Sequence, residues 1–177
     1  MAVKANHDIS SGLDTAFINS AINSNLAYRP EFVSNDYTQG KKVSVAIERE
    51  LRHCDAFYIS VAFITEGGLA PLKQVLAELR DKGIPGKILT TSYLTFTEPK
   101  ALKTLADLSN VEVRVYDSTD EGAAGFHTKG YVFKEEEIYR FIVGSSNMTA
   151  SAFSVNKEWN TKLVSTSDGE LLKQMMT

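Results

Sequence analysis

The sequence predicts an α/β protein, a three-layer α/β/α sandwich around a mixed, largely parallel sheet. Three observations carry this. Residues 57–64, Phe-Tyr-Ile-Ser-Val-Ala-Phe-Ile, are apolar or small on both faces, as a strand covered on both sides must be. From Phe57 to Val115 strand-like and helix-like runs alternate, the order that crossover connections impose on a sheet with helices over its faces. Further on, two β-rich runs joined by a short charged turn add an antiparallel hairpin.

Taken in order, Leu13, Phe17 and Ala21, with Ile18 and Ile22 beside them, mark one face of an amphipathic helix over residues 11–25, opened by Ser11 and ended at Tyr28-Arg29-Pro30. A polar connector with Asn35-Asp36 and Gln39-Gly40 follows. Val43, Ile47 and Leu51 then mark a second helix, preceded by Lys41 and Lys42, which read as solvated surface. After the strand at 57–64, Thr65-Glu66-Gly67-Gly68 is either a tight turn or a phosphate cradle. Leu69, Leu72, Leu76 and Leu79 make a helical stripe with Pro71 in its first turn. Residues 87–91 read as a strand, 98–108 as a helix with Leu102, Leu105 and Leu108 inward, and Val111, Val113 and Val115 as an alternating strand. Ligands gather beyond the carboxyl ends of strands in such sheets, which draws in Thr91, Ser92 and Tyr93 unless they form an ordinary polar loop. The acidic run 117–121 lacks the length and glycine of a calcium loop and reads as solvated.

The chain has 177 residues, 43% hydrophobic and 23% charged, which suits one soluble domain that needs neither disulfides nor a metal. Its longest strongly apolar run is far short of a membrane span, and the N-terminus lacks the order of a signal peptide. A cytoplasmic location and no membrane partner are therefore expected. Cys54 is the single cysteine. With His53 alone beside it there is no zinc-ligand spacing, so a reduced, partly buried thiol is expected, and no metal or cofactor. At a net charge of -3, nucleic-acid contact must come from a local patch. Residues 169–177 are apolar-periodic without a stop signal, from which a longer natural chain is expected.

The candidate site lies between Phe126 and Asn160. Folding the hairpin about the turn 134–137 sets His127 opposite about Gly144 and Lys129 opposite about Ile142, so both motif ends meet at its open mouth. Strand alternation projects His127 and Lys129 from one face, about 7 Å apart along the chain. Residues 144–147, Gly-Ser-Ser-Asn, add close backbone approach, two hydroxyls and a carboxamide able to donate to phosphate oxygens. An imidazole gives and takes its proton near neutral pH, and a lysine supplies charge that a metal would otherwise bring. Glu158 could accept the second ring N–H of a histidine and fix its tautomer. His7 and His53 lack these companions and read as ordinary surface or helix-end histidines.

His127-x-Lys129, then Gly144-Ser145-x-Asn147, then Glu158, resembles the signature of the phospholipase D superfamily, in its single-motif nuclease branch. With TEGGLAPL, GKILTTSYLTFTEPKAL, VGSSNMTASAF and NKEWN, nearly the whole chain more closely resembles the phospholipase D-like domain at the N-terminus of certain bacterial DEAD/DEAH-box helicases of superfamily 2. The resemblance implies one nuclease domain over residues 1–177, joined to a helicase motor. It implies metal-independent DNA cleavage, with RNA as the alternative substrate, through a phosphohistidine on His127. Lys129, Asn147 and Ser145 would bind phosphate oxygens. The family pattern has an aspartate where this chain has Lys134, which the hairpin sets about 23 Å from His127. Because one motif supplies one histidine, a two-fold homodimer with a shared site is expected. The competing readings are a DNA-binding or dimerisation module without turnover, and a phosphatidyl-transferring lipid enzyme.

Overall fold

The structure is a computed structural model that describes residues 29–117 and 125–176. The helix expected over 11–25, His7 and nearly all of the acidic run 117–121 lie outside the described residues. The strands are β1 (Glu31–Val33), β2 (Ala56–Val61), β3 (Gly86–Thr91), β4 (Val111–Tyr116), β5 (Lys129–Glu135), β6 (Ile138–Gly144) and β7 (Asn160–Thr166). The α-helices are α1 (Val43–Leu51), α2 (Glu66–Leu69), α3 (Lys73–Asp81), α4 (Pro99–Ala106), α5 (Ala150–Ser154) and α6 (Glu170–Met175).

The strands form one mixed sheet in the order β1-β7-β6-β5-β2-β3-β4. The α/β class with helices over a mixed sheet is the one the sequence predicts. Parallel pairing, however, is confined to β2–β3 and β3–β4, and the other four pairings are antiparallel. The sheet is thus less parallel than expected: β5 and β6 are a tight hairpin, and the longer connection through α5 returns β7 beside β6 in the antiparallel sense.

Alternation along the strands sorts the core into two layers. Phe57, Ile59 and Val61 of β2 and Tyr131 and Phe133 of β5 face α1 to α5, and bury against Ile47, Leu72, Leu76, Leu105 and Phe153. Each such side chain removed from water contributes roughly 1.5–3 kcal/mol. On the other face Val132 and Phe141 pack under Leu172 of α6, with Tyr58, Tyr139 and Leu163 around them. Among the described residues no helix is long and apolar enough to cross a membrane.

Local chemistry explains the joints. The stripe read as one helix from Leu69 is interrupted by a 3-10 turn at Ala70–Leu72, which carries Pro71. Thr65 caps α2 by accepting from the Gly68 N–H at 3.1 Å. A Cβ on Gly68 would lie 2.0 Å from the Met148 carbonyl oxygen. The glycines at 67–68 therefore serve a close helix-to-loop approach, the bland alternative to a phosphate cradle. Asn35 fastens the start of α1 to α5: its Oδ1 accepts from Val43 N–H at 2.9 Å, and its amide donates to the carbonyls of Ala152 and Asn156 at 2.8 and 2.9 Å. Cys54 is buried, its thiol donating to the Leu51 carbonyl, and burial pushes the thiol pKa up to about 11.

Candidate active site

Strand register builds the site. The hairpin turn is two residues, not four: Glu135 pairs with Ile138, and Glu136 takes a left-handed φ of 52°. Asp55 supports that conformation by accepting the Glu136 N–H at 2.7 Å. The register therefore runs Gly130 to Val143, and its next step sets Lys129 against Gly144 rather than Ile142. Val61, at the end of β2, pairs with Lys129, and Gly144 pairs with Asn160 at the start of β7. Thr91 and Tyr116 end the parallel strands β3 and β4 at the same edge. Residues 127–129, 144–147, 158–160 and 91–93 thus collect along one rim of the sheet.

His127 precedes β5 and is exposed, its ring edge-on to Tyr93 with centroids 6.1 Å apart. The Lys129 ammonium donates to the His127 carbonyl at 2.8 Å, which ties the two residues together. Lys129 lies on the helix-facing side of the sheet, as its opposite Val61 does. Thr128 points the other way and shares a 2.6 Å hydroxyl contact with Ser60.

Asn147 accepts the Phe63 N–H on Oδ1 at 3.2 Å, which leaves its NH2 group to donate. Around it the Met148 N–H bonds the Phe63 carbonyl and the Thr65 N–H bonds the Met148 carbonyl, both at 3.0 Å. The loops after β2 and β6 are thereby laced together. Ser145 donates its one O–H to the buried Glu158 carboxylate and accepts the Trp159 N–H at 3.0 Å. The Asn156 amide reaches the other Glu158 oxygen at 3.5 Å. The expected bond from a histidine to Glu158 is therefore replaced by one from Ser145. Glu158 stands before β7, whose neighbour is β6, whereas His127 leads into β5 on the far side of β6.

Two residues given no role from sequence anchor this rim from below. Asn160 accepts the Ser146 N–H at 3.2 Å and donates to Ser146 Oγ at 2.9 Å and to the Val33 carbonyl at 3.1 Å, joining β7 to β1 and to the loop after β6. Tyr131 donates to the Ser146 carbonyl at 3.0 Å. Burial, reinforced by the Glu158 charge, holds its hydroxyl well above the ordinary tyrosine range, so it stays a neutral donor. Asn160 closes the NKEWN run and interrupts an otherwise β-rich stretch, a polar residue at a strand start that could have drawn attention. Among the described residues no group of three His, Cys, Asp or Glu side chains is placed to hold a metal ion.

Gly144 sets how closely β6 and β7 approach. A Cβ there would lie 2.1 Å from the Trp159 carbonyl oxygen and 2.6 Å from Asn160 Cα, both backbone atoms with little room to yield. Gly144→Ala is expected to destabilise the protein by about 1–3 kcal/mol and to displace Ser145, as overpacking does. Urea unfolding checks this, and an unchanged midpoint contradicts the close approach.

A seven-stranded mixed sheet with helices over it and a His, Lys, Ser, Asn and Glu cluster along one rim places the chain in the phospholipase D and nuclease fold class. The chain belongs to the phospholipase D-like family: the family model described as cardiolipin synthase, PLD-like domain, matches residues 52–177. Among solved structures, NucT from Helicobacter pylori superposes with a TM-score of 0.62 at 15% identity, over 84% of this chain and 91% of that one. The phospholipase D family member Nuc from Salmonella typhimurium gives 0.60 at 14%, over 83% and 90%. Phosphatidylserine synthase of Haemophilus influenzae gives 0.57 at 15%, over 84% of this chain and 36% of that one. No curated protein matches the sequence. The superfamily expected from the motifs is the one found. At these identities the likeness is one of fold, shared by proteins named for different substrates, so the reaction has to be argued from this chain's own side chains.

Proposed function

We propose that the protein is a metal-independent phosphodiesterase that cleaves DNA, in a chain that also carries a helicase motor. The observation that carries this is the register that brings His127 and Lys129 to the same rim as Gly144–Asn147. A ring nitrogen of His127 attacks phosphorus in line, the P–O bond to the leaving strand breaks, and a second histidine gives that oxygen its proton. Water then attacks the phosphohistidine, loses its proton to the second histidine, and the P–N bond breaks. Lys129 and the Asn147 NH2 group hold the equatorial oxygens, whose charge they balance.

The second histidine is a second copy of His127, supplied by a two-fold homodimer. Ser145 joins the phosphate ligands by turning its proton away from Glu158. That same rotation frees the carboxylate to accept a ring N–H and hold a histidine in the right tautomer. Lys134 gives no reason to prefer a module without turnover: it sits at the turn end of β5, opposite Ala56 and Tyr139, a strand's length from His127.

The test is cleavage of single- and double-stranded DNA in excess EDTA, with an alkaline denaturing quench to trap a phosphoryl group on His127 that is stable in alkali and lost in acid. Cleavage that requires an added divalent cation, or an adduct elsewhere, would sink the mechanism. Full activity in a monomeric population would sink the shared site.

A further inference from the structure

Phe32 and Trp159 form an aromatic pair on the open surface beside this rim. Their ring centroids are 6.0 Å apart at 74°, and the residues are 58% and 74% exposed. Exposed large apolar side chains are ordinary singly; paired beside a polar cluster they mark a contact surface. Trp159 is fixed at its backbone, donating to Ser145 Oγ at 3.0 Å and accepting the Ser145 N–H at 3.1 Å. The indole is thus bound to the frame of the proposed phosphate site and free to meet a ligand.

The charge around the pair is graded. The cleft of about 340 Å³ at Trp159 is lined by Asp36 and Glu158 against Lys157, which does not favour a phosphate there. Beyond Phe32 lies a groove of about 590 Å³ lined by Arg29, Lys41, Lys42 and Arg49, with Glu31 as its one carboxylate. Arg49 is held to Glu31 at 3.1 Å. A reaction site, an aromatic surface without net positive charge, then a cationic groove is the order a single strand requires: a cleaved phosphate, an unstacked base, and backbone phosphates beyond. A base inside a duplex is covered on both faces and meets an indole only if it leaves the stack.

We infer that Phe32 and Trp159 are the stacking platform for a nucleobase of single-stranded DNA beside the scissile phosphate, and that Arg29, Lys41 and Lys42 follow its backbone away from the site. This rests on the nuclease reading for its substrate class. It makes the enzyme a single-strand nuclease by the choice of what lies next to the reacting group.

Trp159 is the sole tryptophan of the chain, so its emission reports the platform directly. The His127→Ala protein is titrated with a thymidine oligonucleotide, an abasic deoxyribose-phosphate strand of equal length, and a blunt duplex. The base-bearing single strand is expected to quench the emission, and the other two are not. Trp159→Ala is expected to raise KM for single-stranded DNA by roughly 5- to 150-fold, the span that about 1–3 kcal/mol of stacking per base converts to, with Trp159→Phe restoring most of it. Equal quenching by the abasic strand, absence of quenching, or the emission of a buried indole in the free protein would each overturn the platform. Cleavage in EDTA without quenching overturns the platform and leaves the nuclease standing. Quenching by single strands without cleavage by wild type overturns the nuclease and supports the platform.

Discussion

Replacement of His127 by alanine is expected to lower phosphodiester cleavage in EDTA by roughly 10⁴-fold or more while DNA affinity changes little. The size follows from the role. Removing a nucleophile deletes the covalent route altogether, and what remains is the binding and electrostatic help of the other groups. The fold gives no reason for a wider loss, because His127 is exposed, lies before β5 rather than in it, and rests edge-on against Tyr93. Lys129→Met is the instructive contrast. It leaves the nucleophile but removes the charge nearest to it, for which about 10²–10³-fold is the usual cost. It also weakens binding, and frees the His127 carbonyl that the ammonium holds at 2.8 Å. Single-turnover rates and the Trp159 emission measure turnover and binding separately. Residual cleavage by His127→Ala above about one part in a hundred would reject it as the nucleophile.

How much of this was legible in the sequence depends on what each strand does with its inward positions. β2 is apolar on both faces and could be read directly, as could the alternation of valines in β4. The hairpin could be read, but its charge drew the turn two residues too wide. Lys134 and Glu135 are strand residues, and the sharp bend at Glu136 depends on Asp55, eighty-one residues away in the chain. β7 could not be read, because its inward positions include Asn160 and Lys162, polar residues serving the rim and an ion network, so no apolar alternation survives. β1 is three residues long and carries no pattern of its own. In the site, residue types and spacing gave His127, Lys129, Ser145, Asn147 and Glu158 their place on one rim. Which partner Glu158 takes is decided by β6 standing between β5 and β7, a matter of strand order that spacing does not encode.

The network under β7 should produce the largest stability change. Lys162 is buried between Glu31 at 2.7 Å and Glu50 at 3.3 Å, and both Lys162 and Glu50 are about 7% exposed. Arg140 reaches Glu50 at 3.7 Å and is itself paired with Glu135. Lys162→Met takes the buried ammonium from both Glu31 and Glu50 and leaves Glu50 to Arg49 at 3.3 Å and Arg140 at 3.7 Å; with two charge-assisted bonds lost together, about 3–5 kcal/mol is expected. For a domain of this size that is a fall in Tm of roughly 6–20 °C. Adding Glu50→Gln should recover part of the loss, because it removes a buried charge left with only Arg49 and Arg140 as partners. The pH dependence separates charge from packing. Burial pushes the Glu31 carboxyl up, but the hydrogen bonds of Lys162 and Arg49 outweigh it and hold it below its ordinary 4.5. A carboxyl held down in the folded state contributes stability above that value and loses it as the pH falls through the folded value. Lys162→Met removes part of this contribution, so the gap to wild type should be widest near neutral pH and narrow below about 4.5. An equal gap at pH 4 and pH 7 would make the loss one of packing, and Lys162 a spacer rather than the counter-charge of Glu31 and Glu50.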